Sequence, residues 1–203
     1  MIGYRIANLD DLLDAIGEDE TTKILADYSC PLNKDIEKFL KHSAVQFSKM
    51  GITKTHLVFA SYKSCPVLVG YFAIAYKTFF IRRTKALSSK LRSRILKFAR
   101  VDDEANGYEI SAPLIAQLGK NYTNDYNSLI TGDELLKMAC DKVKQIQSIM
   151  GGKIAYLECA DKPSLLEFYG RNGFREFDRR QIVGEEREAF KSEYLVQMLR
   201  YFD

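Results

Sequence analysis

The residues from Thr131 to Gly152 constrain the fold most, because they mark both ends of a long amphipathic helix. Thr131 and Glu134 have the spacing of a capping box, in which the hydroxyl and the carboxylate satisfy backbone donors at a helix start. Gly151 and Gly152 supply a C-terminal stop. Between these ends an apolar stripe recurs at helical spacing, formed by Leu135, Leu136, Ala139, Val143, Ile146 and Met150. The pattern therefore predicts a helix between Thr131 and Gly151.

Extended and helical patterns alternate around this helix. The predicted strands are rich in β-branched and aromatic residues and cover His56–Tyr62, Val67–Phe80, Tyr108–Tyr122, Ile154–Cys159, the residues from Phe174 onward, and Tyr194–Phe202. A helix is predicted over Pro163–Asn172, and another over Lys34–Met50 with an apolar face of Ile36, Phe39, Leu40, Phe47 and Met50. The strand–helix–strand–helix–strand order at the C-terminal end favours an α/β domain with a mixed sheet. The length of 203 residues favours one domain, and we find no repeat or linker.

Composition argues against several classes of protein. Four widely spaced cysteines without a CxxC pair (Cys30, Cys65, Cys140 and Cys159) indicate a reduced interior, in which Cys140 and Cys159 are expected to be buried thiols. Only two histidines, His42 and His56, are present, so we expect no metal site. The first twenty residues are acidic where an export signal needs basic residues, and the longest uncharged stretch is Ser64–Tyr76, which is too short to span a membrane. We expect a cytoplasmic protein.

Positive charge is concentrated in one segment. Lys77–Arg100 contains nine cationic residues and no acidic one, although the whole chain carries only +3. Such a block attracts polyanions, and both phosphorylated cofactors and nucleic acid qualify. The alternative is a solvated helix face, because Leu87, Leu91, Ile95 and Phe98 recur at helical spacing and would anchor the other side.

A strand followed by a loop and a capped helix is a pattern that suits a phosphate ligand. Here the strand is Leu114–Tyr122 and the loop Tyr126–Gly132. A helix start has free N–H groups and the positive end of the helix dipole, and Gly132 allows close approach of a ligand to the backbone. Most such joints bind nothing, so this pattern needs support from other residues.

That support comes from a resemblance to a known family. The motifs that carry it are Gly132-x-x-Leu135-Leu136, Glu158-Cys159 and Phe168-Tyr169-x-x-x-Gly173-Phe174, with Cys30, Phe39-Leu40, Thr55-His56-Leu57-Val58 and Leu68-Val69-Gly70-Tyr71-Phe72 in the first half. Over residues 27–202 the sequence resembles the GNAT N-acetyltransferase superfamily, in particular its bacterial toxin-type branch that acts on aminoacyl-tRNA. The resemblance implies an α/β fold with a GNAT-like mixed, mostly antiparallel central sheet flanked by helices on both faces. It also implies a single domain over residues 1–203, with a basic helical insertion near residues 81–100.

The resemblance also implies where acetyl-CoA binds. The strand end with Leu118, Gly119 and Lys120 matches the strand that pairs with the pantetheine arm of the cofactor in the family. The pyrophosphate loop of the family, Gln/Arg-x-x-Gly-x-Gly/Ala, corresponds here to Asn127, Ser128, Leu129, Ile130, Thr131 and Gly132. Only Gly132 matches that pattern. Asp133 and Glu134 add negative charge, which opposes a diphosphate unless both side chains point away.

Two residues are implied for proton transfer. Tyr169 matches the tyrosine that protonates the departing CoA thiolate in the family. The alternative is that Tyr169, with Leu165 and Leu166, only packs a short helix onto the sheet. Glu158 is a candidate base for the amine, with water or a backbone carbonyl as alternatives, and a backbone N–H near Lys120 would stabilise the oxyanion.

The predicted function is transfer of an acetyl group from acetyl-CoA to a primary amine by direct attack in a ternary complex. A sharper version makes the acceptor the α-amine of aminoacyl-tRNA, with phosphates held by the Lys77–Arg100 segment. The alternative is a non-catalytic GNAT-fold binding module that acts through this basic segment. The identity of the acceptor, a homodimer and an antitoxin-like partner stay open at this point.

Overall fold

The structure, a computed structural model, describes residues 3–83, 88–182 and 194–203. Its strands are β1 (Tyr4–Asn8), β2 (Lys54–Tyr62), β3 (Cys65–Arg82), β4 (Arg100–Asp102), β5 (Gly107–Lys120), β6 (Ile154–Ala160), β7 (Arg175–Gln181) and β8 (Tyr194–Tyr201). Its α-helices are α1 (Leu9–Ala26), α2 (Lys34–Lys38), α3 (Ala44–Lys49), α4 (Ser89–Ile95), α5 (Gly132–Met150) and α6 (Pro163–Arg171). A π-helical turn covers Phe39–Ser43, and 3₁₀ turns cover Leu96–Phe98 and Thr123–Leu129.

The strands pair in the order β1-β2-β3-β5-β6-β8-β7, and β4 pairs with β5. The pairs β1–β2, β2–β3, β4–β5, β6–β8 and β7–β8 are antiparallel. The pair β5–β6 is parallel and meets at Leu114 and Tyr156. The predicted α/β class with a mixed, mostly antiparallel sheet is therefore confirmed.

Most predicted elements are present, but two predicted faces differ. The helix predicted over Lys34–Met50 is interrupted by the π-helical turn, which adds a residue to one turn and rotates the face that follows. Ala44 and Ser48 are therefore buried, whereas Met50 is 62% exposed, so its predicted place on the apolar face is wrong. In α5 the buried stripe reaches Val143, and Met150 at the helix end is 68% exposed. The strand β1 and the helix α1 were not predicted.

By internal contacts the chain divides into two compact units, which we describe separately. Unit 1 contains residues 1–75 and 116–139. Its α1 is capped by Asn8, whose side chain accepts a hydrogen bond from the Asp10 N–H, and Gly17 at φ +79° interrupts the helix. Its core contains Leu9, Leu25, Tyr28, Cys30, Leu40, Ala44, Leu57, Leu68 and Tyr71.

Unit 2 contains residues 76–115 and 140–203. The ring of Phe79 packs against Tyr156 and Phe177, with centroids 4.1 and 5.2 Å away. Cys140 and Cys159 are buried free thiols, as predicted. The single domain over residues 1–203 and its basic insertion near 81–100 stay predictions, and residues 84–87, which include Lys85 and Leu87, lie outside the described residues.

Candidate functional site

The predicted cofactor-binding residues on β5 lie at its C-terminal end, in unit 1. Within this unit the strand order is β1-β2-β3-β5, which puts the end of β5 at the edge of this part of the sheet. An edge strand offers backbone N–H and C=O groups for pairing with an added strand. Leu118 and Lys120 are half-buried, whereas Gly119 is buried.

Gly119 is held in a close packing contact. A Cβ atom at this position would lie 2.5 Å from the Tyr28 Oη and 2.6 Å from the Ile36 Cγ2. On the neighbouring strand, a Cβ atom at Gly70 would lie 2.8 Å from the carbonyl oxygen of Gly119. The two glycines therefore let β5 lie against β3 and against Tyr28 and Ile36, a packing role that the sequence alone did not indicate.

Lys120 and Asn121 fix the chain as it leaves β5. The Lys120 Nζ donates to the carbonyl oxygen of Asn127, 2.9 Å away, and so brings a positive charge to the loop before α5. The Asn121 side chain is 2% exposed; its Oδ1 accepts from the backbone N–H groups of Ser29 and Thr123, and its Nδ2 donates to the carbonyl oxygen of Leu68. Asn121 was not predicted as a functional residue, and its only signal in the sequence is its position as a polar residue directly after a buried strand.

The predicted pyrophosphate loop is held by side-chain contacts that a glycine-rich loop does not have. Ile130, at the position of the first glycine of the family, is 2% exposed and belongs to the core. The carbonyl oxygen of Leu129 accepts a hydrogen bond from the Tyr4 hydroxyl, 2.8 Å away. The loop is therefore shaped by side-chain packing, while Thr131 and Gly132 form the helix start.

The predicted capping box at the start of α5 is confirmed. The Glu134 Oε2 accepts from the Thr131 N–H at 2.8 Å and from its hydroxyl at 2.7 Å, and the Glu134 N–H donates to the Thr131 Oγ1 at 3.2 Å. These hydrogen bonds hold the pKa of Glu134 below its ordinary value, so the carboxylate is charged at neutral pH. Glu134 therefore points toward the helix start and adds negative charge there.

Tyr169 lies in unit 2, near the C-terminal end of α6. Pro163 occupies the first turn of this short helix, where its missing N–H has no cost. The Tyr169 ring contacts Phe168 and Phe174, with centroids 4.9 and 6.0 Å away. Burial, with a smaller contribution from Cys159, raises the pKa of Tyr169 above its ordinary value. The phenol therefore keeps its proton at neutral pH, as a proton donor must.

Glu158, the candidate base, is engaged by two partners in unit 2. Its Oε2 accepts from the Arg180 Nη2 at 2.8 Å and the Nε at 3.1 Å, and its Oε1 accepts from the Gln197 Nε2 at 2.7 Å. Proton abstraction by Glu158 would require this pair with Arg180 to open. Arg180 and Gln197 were not predicted as partners of Glu158, because they meet it only through the pairing of β6, β7 and β8.

The basic segment contributes to an open groove in unit 2. The helix α4 is capped by Ser88. Of the predicted anchoring face, Ile95 is 1% exposed, whereas Phe98 is 39% exposed. The groove has a volume of about 280 Å³ and is lined by Ser88, Lys90, Leu91, Arg94, Gly173, Arg175, Leu199 and Tyr201. Arg94 pairs with Asp203 at 2.8 Å, whereas Lys90 and Arg175 have no carboxylate partner among the described residues. Within the described part of the chain, the groove therefore keeps two positive charges that no carboxylate compensates.

Two kinds of feature are absent from the part of the chain that the structure describes. No group of three or more histidine, cysteine, aspartate or glutamate side chains there could hold a metal ion. No helix among these residues has the length and apolar character needed to cross a membrane.

Comparisons with known proteins identify the fold. No protein-family model and no curated protein matches the sequence. A tyrosine-to-phenylalanine mutant of KacT matches with a TM-score of 0.59 at 16% identity, over 95% of this chain and 93% of that chain. AtaT complexed with acetyl-methionyl-tRNAfMet matches with a TM-score of 0.59 at 17% identity, over 96% of this chain and 94% of that chain. AtaTR bound with AcCoA matches with a TM-score of 0.55 at 19% identity, over 95% and 92%.

At these identities the likeness is one of fold. The chain has the fold of GNAT toxin acetyltransferases, and the resemblance expected from the sequence is confirmed at that level.

Proposed function

We propose that this chain is an acetyl-CoA-dependent N-acetyltransferase that modifies a primary amine by direct attack in a ternary complex. The observation that carries the proposal is a fold shared over 95% of the chain with AtaTR bound with AcCoA. The residues at the end of β5 and at Tyr169 suit the two tasks that the reaction sets, which are holding the thioester and protonating the departing sulfur. We take the protein to be cytoplasmic.

The residues proposed to hold acetyl-CoA are in unit 1. The edge backbone of Leu118, Gly119 and Lys120 can pair with the pantetheine arm as an added strand would, and the N–H near Lys120 supports the oxyanion. The Lys120 ammonium supplies positive charge beside Asn127. Residues 127–132 and the first N–H groups of α5 are assigned to the diphosphate, against the charge of Glu134.

Tyr169 is proposed as the general acid. When the amine attacks the thioester carbon, the carbon–sulfur bond breaks and the sulfur leaves with negative charge, which the phenol proton neutralises. The amine must also lose a proton. We assign that proton to water, because both oxygens of Glu158 are already hydrogen-bonded to Arg180 and Gln197.

A second candidate function is a binding module that has lost cofactor affinity. Two observations favour it, the buried Ile130 at a loop glycine position and the Glu134 carboxylate at the helix start. A module of this kind would act through the basic groove alone. Binding of acetyl-CoA separates the two functions.

We expect acetyl-CoA to stabilise the protein against heat. A ligand that binds only the folded chain, at a concentration 100 times its dissociation constant, raises the unfolding free energy by about 2.7 kcal/mol. For a chain of this size, each kcal/mol raises Tm by roughly 2–4 °C. The measurement is thermal unfolding with acetyl-CoA, with acetyl-pantetheine as the matched ligand that lacks the diphosphate. An equal shift with both ligands would place the affinity in the β5 edge alone, and no shift or heat of binding at millimolar acetyl-CoA would support the binding module.

The variant Glu134→Gln isolates the charge at the helix start. Glutamine keeps the acceptor of the capping box and removes the negative charge. We expect it to bind acetyl-CoA about 2- to 5-fold more tightly, which corresponds to 0.3–1 kcal/mol near a helix N-terminus. Unchanged affinity for acetyl-CoA together with unchanged affinity for acetyl-pantetheine would place the diphosphate away from α5.

For the acceptor we propose the α-amine of an aminoacyl-tRNA. AtaT was solved with acetyl-methionyl-tRNAfMet. The groove contains Lys90 and Arg175, which have no carboxylate partner among the described residues and can contact phosphates. A homodimer stays a prediction, and the sequence leaves an antitoxin-like partner open.

Reversing the charges of the groove should weaken RNA binding. The double variant Lys90→Glu/Arg175→Glu removes two phosphate contacts, so the slope of log K against log salt should fall by about 1.4–1.8. The measurement is a titration with aminoacylated tRNA at several salt concentrations. Lys23→Glu/Lys49→Glu is the matched control, because it makes the same net charge change at exposed residues of unit 1. Equal losses in both double variants, or none in either, would contradict a role for the groove.

A further inference from the structure

The helix α6 ends in a specific backbone arrangement. The Phe174 N–H donates to the carbonyl oxygen of Tyr169 at 3.0 Å, and the Gly173 N–H donates to that of Gly170 at 3.0 Å. Gly173 has φ +85°, in the left-handed region. These two bonds and this φ define a Schellman motif, in which the chain reverses directly after the last helical turn.

Two aromatic rings pack against Tyr169, and the motif brings one of them, Phe174, into place. A Schellman turn places the residue after its glycine over the third residue from the helix end, and these positions are Phe174 and Tyr169. Their rings meet edge to face, with centroids 6.0 Å apart and planes at 71°. Phe174 is fully buried, and the Phe168 ring packs on Tyr169 with its centroid 4.9 Å away. The Tyr169 ring is therefore held by one neighbour on its own helix and one beyond the turn.

Position 173 requires glycine for its conformation and for its surroundings. A non-glycine residue at a positive φ is strained, and alanine tolerates this region less well than asparagine. A Cβ atom at this position would lie 3.3 Å from the Arg200 Nε. The Arg200 guanidinium is itself held over the Phe202 ring, 5.0 Å from its centroid. A side chain at residue 173 would therefore press against Arg200, whose guanidinium is already held by its contact with the Phe202 ring.

We propose that the turn after α6 is a positioning device for the Tyr169 phenol, with Gly173 and Phe174 as its positioning residues. The proposal rests on the proposed function in one respect, the role of Tyr169 as proton donor. It also explains the spacing Tyr169-x-x-x-Gly173-Phe174, because a Schellman motif needs its glycine four residues after the ring that it holds. The turn therefore fixes the position that the Tyr169 phenol needs in order to donate its proton.

The test compares three variants, two at position 173 that differ in how well they accept a positive φ and one control at position 170. Gly173→Ala and Gly173→Asn add the same Cβ atom, but asparagine accepts the left-handed conformation more readily. Gly170→Ala is the control, because a Cβ atom there meets nothing within 4 Å and lies in the same helix. In acetyl transfer to aminoacylated tRNA, we expect Gly173→Ala to lower kcat at least about ten-fold with KM for acetyl-CoA unchanged. Gly173→Asn should recover most of that loss, and Gly170→Ala should match the unchanged protein.

A second readout does not depend on turnover. Tyrosine labelled with ¹³C at Cζ gives one resonance per ring, and the Tyr169 signal is identified by its absence in Tyr169→Phe. In Gly173→Ala we expect this signal to move or broaden, and the pKa of Tyr169 to fall toward its ordinary value as water reaches the phenol. If the unchanged protein has no transferase activity, the proposed function fails while this measurement still decides the positioning.

An unchanged Tyr169 signal in a folded Gly173→Ala variant would overturn the proposal. So would equal loss of kcat in Gly173→Ala and Gly170→Ala, since that would indicate a general requirement for glycine in the helix. If Gly173→Ala does not fold, Phe174→Leu decides, because it removes the ring that meets Tyr169 beyond the turn. An unshifted Tyr169 resonance together with an unchanged kcat in Phe174→Leu would contradict a held ring.

Discussion

Replacing Tyr169 by phenylalanine is expected to lower kcat of acetyl transfer by about 100- to 10,000-fold, the usual contribution of a positioned general acid. The ring contacts with Phe168 and Phe174 survive this change, so the fold and acetyl-CoA affinity should not alter. Burial raises the pKa of the Tyr169 phenol. The donor form therefore persists to a higher pH than for an exposed tyrosine, and Tyr169 should cause no fall in rate between pH 6 and about 10. Initial rates across this range measure both effects.

Tyr156→Phe is the matched control for the hydroxyl. Tyr156 is a buried tyrosine of unit 2, whereas Tyr169 is half-buried, and burial raises the pKa of both phenols. We expect this variant to keep its rate, because Tyr156 packs against Phe79 and we assign it no part in the chemistry. Full activity in Tyr169→Phe would remove that residue from catalysis, and similar losses in both variants would point to packing.

Gly70→Ala is expected to cost about 1–3 kcal/mol of unfolding free energy, the usual range for overpacking a filled interior. The new Cβ would lie 2.8 Å from the Gly119 carbonyl oxygen and 3.4 Å from the Lys120 Cα, so β5 backbone would have to move. Because these residues are the proposed partners of the pantetheine arm, acetyl-CoA affinity should fall together with stability. Denaturant unfolding and calorimetric titration on the same variant measure the two losses.

The control for this prediction is a glycine-to-alanine change at a position where the added Cβ atom contacts no other residue. Gly170→Ala adds the same methyl group at a helical position where nothing lies within 4 Å, and it should leave the protein as stable as before or slightly more so. A Gly70→Ala variant of unchanged stability would mean that β3 and β5 separate at little cost. Lost stability with undiminished affinity would place the cofactor away from the end of β5.

Local signals predicted those parts of the fold that depend on neighbours in sequence. Thr131 and Glu134 identify the start of α5 because a capping box needs only four residues. The helix α1 was missed because Gly17 and many acidic residues hide its pattern. The π-helical turn over Phe39–Ser43 has no local signature, so the face that follows it was placed wrongly at Met50.

In the candidate site too, residues in local motifs were predicted, whereas residues that meet only in the folded chain were not. Tyr169 and Gly132 were found from motifs that are local, and the resemblance supplied their roles. The partners of Glu158 were not found, because Arg180 and Gln197 reach it through strand register. The contact of Lys120 with Asn127 depends on the path of the intervening loop, which includes Asn124 and Asp125 at positive φ.

The side chain of Asn121 joins three stretches of chain that are far apart in sequence. Its side-chain amide forms hydrogen bonds with the backbone of Ser29, Leu68 and Thr123 at the same time, and it is almost fully buried. Breaking one of these bonds alone would leave a polar group without a partner away from water. The stretch that follows β5 therefore opens cooperatively with the neighbouring segments or stays closed, so it behaves as part of the rigid interior and not as a freely moving connector.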